Sequence, residues 1–182
     1  GTASPQGLFD VPLTIPNDPA LVGSFAFQAF AGDPSRPFLS NAGTLTIASD
    51  STLDGLLQIA GGNLDIGTAT VTLAGGLAWT GNSHIIGNGG ILNLPATNTF
   101  SGAVSRFLSG VTANISGPTT YSDGFLTKGN SAIINNSGVF DFAGDVNISD
   151  DESGGGFNNL DGGTLLKSAG AGTSLIQSIF NP

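Results

Sequence analysis

The chain has 182 residues, enough for one or two domains, of which 39% are hydrophobic and only 9% charged. Four Lys or Arg stand against thirteen acids, a net charge of −9, which argues against nucleic acid and anionic membrane surfaces as partners because both need clustered cations. With no cysteine, a disulfide framework, a thiolate metal site and a cysteine nucleophile are excluded too.

A surface so poor in charge must be built from Ser, Thr, Asn and Gly. The 29 glycines favour tight turns over long helices, and no stretch of ten or more residues carries a helical period. All the acids but Glu152 are Asp, which suits turns, where Asp bonds back to nearby amides, and also suits calcium. Methionine is absent, and Gly1–Pro5 begins no apolar leader. The expectation is a chain excised from something larger or stripped of a leader. No stretch is long and apolar enough to span a bilayer.

Residues 1–42 form the first segment. Six of the nine prolines lie there: Pro5, Pro12, Pro16, Pro19, Pro34 and Pro37. Strands are predicted at Val11–Ile15 and Ser24–Phe30, with Phe25 and Phe27 on one face. So few strands cannot close a core alone, so they should cap or pack on the segment that begins at Gly43. Leu21-Val22-Gly23, Phe27-Gln28-Ala29, Asp33-Pro34 and Leu39-Ser40-Asn41-Ala42 resemble the end of a small β-rich module of large exported bacterial proteins.

From Gly43 a pentad recurs, Gly-x-apolar-x-apolar, at 43–47, 62–66, 90–94, 138–142 and 163–167, with a degenerate copy at Ala113-Asn114-Ile115-Ser116. Each points two apolar side chains one way and the residue between them the other. Further strands are predicted at Leu57–Ile59, Thr70–Leu73, Leu77–Trp79, Ile85–Ile86, Ile133–Ile134, Val146–Ile148 and Leu175–Ile176. Near the end, Ile134-Asn135-Asn136, Phe157-Asn158-Asn159 and Phe180-Asn181-Pro182 succeed one another at 23-residue steps. A fixed period of this size marks stacked repeats. Residues 43–182 are therefore expected to be about six rungs of a right-handed parallel β-helix. Apolar residues would fill its lumen, and Ile134, Asn135, Asn136, Phe157, Asn158, Asn159, Phe180 and Asn181 would form ladders. An antiparallel β-sandwich also suits short strands with glycine turns and stays open as the alternative.

Phe157-Asn158-Asn159, Gly163-Thr164-Leu165, Lys167-Ser168, Gly170-Ala171-Gly172-Thr173-Ser174 and Ile176 resemble the repeat of large secreted bacterial β-helix proteins, the autotransporter passengers and filamentous-haemagglutinin-like adhesins. That resemblance implies an extracellular or cell-surface stalk or adhesive module. It fits best over 157–181 and loosens toward 43.

Few residues suggest chemistry. Asp150, Asp151 and Glu152, with Asp145 nearby, could bind calcium or supply paired carboxylates, against the plainer reading of a solvated loop between rungs. His84 is the single histidine, and no nucleophile elbow accompanies it. Arg106, Lys128 and Lys167 are scattered singly, which disfavours a polysaccharide lyase. Thr44/Thr46, Thr70/Thr72 and Thr97/Thr99 could form an ice-binding row if they shared a face. Trp79, Tyr121 and exposed Phe could stack on sugars, though lone aromatics are more often core. The expectation is an all-β, non-catalytic surface module without a cofactor, calcium apart. Its partners would be cell-surface glycans, proteins or copies of itself, with end-to-end association. The alternatives are a polysaccharide-binding or polysaccharide-degrading β-helix and an ice-binding solenoid.

Overall fold

The computed structural model describes residues 38–39, 43–151 and 153–182. The strands expected at Val11–Ile15 and Ser24–Phe30 and the acid Glu152 lie outside the described residues. Every described strand is short or bends at a glycine corner, and among the described residues there is no helix.

The first turn carries β1 (Phe38–Leu39), β2 (Thr44–Thr46) and β3 (Ser51–Leu53). The second carries β4 (Leu57–Ile59), β5 (Asn63–Asp65) and β6 (Thr70–Leu73). In the third and fourth, β7 (Leu77–Trp79) and β9 (Asn98–Phe100) are followed by the long strands β8 (Ser83–Leu94) and β10 (Ser105–Ile115). The fifth has β11 (Thr119–Tyr121), β12 (Phe125–Gly129) and β13 (Ile133–Asn136); the sixth has β14 (Val139–Ala143), β15 (Asn147–Asp150) and β16 (Gly156–Asn159). The last has β17 (Thr164–Ala169), β18 (Leu175–Gln177) and β19 (Phe180–Asn181).

All pairings among the described residues are parallel, each strand bonding to its equivalents one turn before and one turn after. The described residues thus form a parallel β-solenoid, not a sandwich, with seven turns where six were expected. Three faces result. Face A stacks β1, β4, β7, β9, β11, β14 and β17. Face B runs from β2 through β5, the first halves of β8 and β10, β12 and β15 to β18. Face C runs from β3 through β6, the second halves of β8 and β10, β13 and β16 to β19. At strand spacing the seven turns span ~29 Å.

The glycine pentads mark strand starts rather than one fixed phase. Those at 43–47 and 62–66 lie on face B, that at 90–94 and the copy at 113–116 on face C, and those at 138–142 and 163–167 on face A. Their mixed phases inflate the apparent repeat to a mean of ~24. The true turn is 21 residues through Asn93, Asn114 and Asn135, and 23 at Asn158 and Asn181. Among the described residues, pairing begins at Phe38–Leu39, ahead of Gly43.

Alternation does the folding work on each face. Leu57 and Ile59 are buried with Gln58 between them outward, and Val71 and Leu73 flank Thr72 in the same way. Each buried aliphatic side chain contributes about 1.5–3 kcal/mol of transfer free energy. On face A the lumen turns aromatic. Trp79, Phe100, Tyr121 and Phe142 occupy one register column, with ring centroids 5.6, 6.2 and 6.3 Å apart. Trp79 and Tyr121, weighed as sugar-stacking residues, are therefore core.

The corner between faces B and C must bend sharply at the same place on each turn. Gly110 takes φ 62°, and a Cβ there would lie 2.4 Å from the Gly87 carbonyl oxygen. Only glycine lets the two backbones approach so closely.

Candidate functional site

The most continuous polar feature is on face C. One register column points outward there: Thr52, Thr72, Asn93, Asn114, Asn135, Asn158 and Asn181. Each Asn Nδ2 donates to the column member one turn back. The bonds are Asn181 to Asn158 (2.6 Å), Asn158 to Asn135 (2.8 Å), Asn135 to Asn114 (2.9 Å), Asn114 to Asn93 (3.0 Å) and Asn93 to Thr72 Oγ1 (3.2 Å). Because all five amides donate in the same direction, each bond polarises the next.

The expected ladder residues take their places around this column. Ile134, Phe157 and Phe180 stack in register on the inward side, with the last two rings 6.2 Å apart. Asn136 and Asn159 pair one position along, with Asn136 Nδ2 donating to Asn159 Oδ1 at 2.7 Å. Asn136 is fully buried, and its Oδ1 has no partner among the described residues. Asn93 and Asn114 were missed as ladder members. Their signal was an Asn set between two apolar residues 21 positions apart, in Leu92-Asn93-Leu94 and Ala113-Asn114-Ile115.

The acids considered for calcium do not converge. Lys167 Nζ donates to Asp145 at 2.9 Å, and the Gly172 N–H donates to the same carboxylate. The Lys167 hydrogen bond, then that of Gly172, holds the Asp145 carboxyl below its usual range. Asp150 points to the corner and accepts from Lys128 Nζ at 3.0 Å. Asp151 is exposed, and Ser153 donates to it, holding its carboxyl low. No three metal-binding side chains cluster among the described residues.

The cations hold the fold. Arg106 is 1% exposed and sits inside the corner between faces A and B. Its Nε donates to Trp79 O (2.9 Å), Nη1 to Asp123 O (2.9 Å), and Nη2 to Ser101 O and Gly102 O. The guanidinium also lies 5.9 Å from the Tyr121 ring centroid. Burial pulls its pKa down from the ordinary value, while Tyr121 and Asp123 oppose that shift. Lys128 is fully buried and also donates to Ala132 O at 3.3 Å. Neither is placed as a base in an open cleft. The Thr pairs lie on separate faces, 44/46 on β2, 70/72 on β6 and 97/99 at β9, so these three pairs do not form one row. His84 is exposed on face B, its ring 5.4 Å from that of Phe107.

No protein-family model matches this chain, and neither a curated protein nor a solved structure matches it.

Proposed function

We propose that this chain is a non-catalytic structural and adhesive module of a bacterial surface protein, a stalk or adhesin fragment working outside the cell. The observation that supports it most is the unidirectional amide ladder along face C, from Asn181 to Thr72. A rod whose backbone and side chains both bond from turn to turn resists bending and holds surface groups at a fixed pitch. The low charge, the absence of cysteine and the likeness of 157–181 to secreted β-helix repeats support the setting. Partners are cell-surface glycans or proteins, with copies of the same rod joining end to end. Beads coated with the purified chain should adhere to cell monolayers, and the same preparation should release no new reducing ends from polysaccharides. Catalytic release of sugar ends by the purified chain would overturn the reading.

A further inference from the structure

Face B carries an aromatic surface that the ladder does not use. Phe107 and His84 are in register on neighbouring turns, their rings 5.4 Å apart and tilted by 51°. Phe125, one turn further and paired with Ser105, is 61% exposed. Beyond Phe107 stands Gly129. A Cβ there would lie 2.5 Å from Phe107 Cζ and 2.4 Å from Asp151 Oδ2. The missing side chain lets the ring edge and the carboxylate meet over the backbone. His84 and Phe107 share one column, Phe125 stands two strand positions to one side of it and Asp151 two positions to the other, and the patch so formed spans the third turn to the sixth, ~14 Å at strand spacing. Thr127, Ser149 and Asn147 flank it with hydroxyl and amide groups.

We propose that this patch binds a neutral hexose oligosaccharide lying along the His84–Phe107 column, parallel to the rod axis. The His84 and Phe107 rings stack on the C–H faces of successive sugars, Phe125 covers one edge of the sugar chain, and Asp151 on the other edge accepts from a pair of neighbouring hydroxyls. The chemistry selects this ligand class. The negative face of an aromatic ring meets the slightly positive C–H groups of a pyranose. A carboxylate is acceptor-only, with two oxygens to take two O–H donors. The described cations lie elsewhere, with Arg106 and Lys128 buried and Lys167 committed to Asp145. Asp65 and Asp151 leave the face acidic, so a polyuronate is repelled. A protein partner is disfavoured because a stable interface covers about 800 Å² per side with an apolar centre, whereas Thr127 and Ser105 break up this patch.

The proposal rests on the adhesive half of the function given above, but its test is separate. Purified chain is titrated by calorimetry with neutral β-1,4-linked hexamers of glucose, mannose and N-acetylglucosamine, and with hexagalacturonate. At least one neutral hexamer should bind saturably and the uronate should not. Phe125→Ala, at an exposed position that leaves the fold intact, should weaken binding about three- to tenfold. Asp151→Asn should weaken it as well, with the melting temperature unchanged. The proposal is overturned if no neutral hexamer binds, if the uronate binds equally well, or if both variants bind like the parent. In those cases the bead-adhesion result still stands or falls by itself.

Discussion

A single asparagine in the face C column has two jobs. Asn135 donates to Asn114 and accepts from Asn158, so Asn135→Ala removes two hydrogen bonds and strands two half-buried amides. The expected loss is about 1–3 kcal/mol, read by urea unfolding, while Asn181→Ala, at the exposed end, should lose a fraction of that. Equal losses would argue against a cooperative ladder. Tyr121 offers a cleaner probe because it is the single tyrosine. Its hydroxyl lies 2.9 and 3.0 Å from the carbonyl oxygens of Gly124 and Asn147 and shares its one proton between them, and burial pushes its pKa well above the ordinary value. Folding therefore favours the neutral phenol. The linked stability is complete below the unfolded pKa near ~10 and is lost as pH rises toward the folded value. Phenolate absorbance should appear together with loss of the β circular-dichroism signal; ionisation of a still-folded chain near pH ~10 would contradict this. The inward Phe157 and Phe180 and the outward Asn158 and Asn181 were legible because the triplets repeat intact. Arg106 and Lys128 were not, since nothing local marks a cation as buried when its partners are carbonyls and an acid from other turns.

At the level of the strand and its corner, Lys128 and Asp150 sit in register on β12 and β15 and close the B–C corner. The Lys128 side chain is fully buried and that of Asp150 is 13% exposed. Asp150→Ala leaves a buried ammonium uncompensated and should lose about 3–5 kcal/mol, whereas replacing both residues by apolar ones of similar volume should lose much less. A single and a double variant of equal stability would remove the pair from the account. Strands such as β4, β6 and β7 were readable because Leu-Gln-Ile, Thr-Val-Thr-Leu and Leu-Ala-Trp alternate cleanly. By contrast, β9, β11 and β12 were not read. Asn98 and Thr119 face inward as buried polar residues, bonded to each other at 3.1 Å, and so break the apolar alternation. Asp150 and Asp151 looked like a site because they are neighbours in sequence, yet strand alternation sends one inward to Lys128 and the other out to Ser153.

For the whole rod, stability is close to a sum over turns and the interfaces between them, which gives the stalk reading its mechanical content. The architecture was legible from a recurring interval, and its exact turn length was not, because similar pentads open strands on three faces. The decisive measurement is cysteine pairing in this cysteine-free chain. Parallel stacking puts Phe125 opposite Asn147 and Thr127 opposite Ser149, a spacing of ~4.8 Å that falls within the reach of a disulfide. The pairs Phe125→Cys with Asn147→Cys and Thr127→Cys with Ser149→Cys should both oxidise within one molecule. The crossed pairs, Phe125→Cys with Ser149→Cys and Thr127→Cys with Asn147→Cys, should not. Bridges in the crossed pairs alone would mean antiparallel strands and would contradict the solenoid.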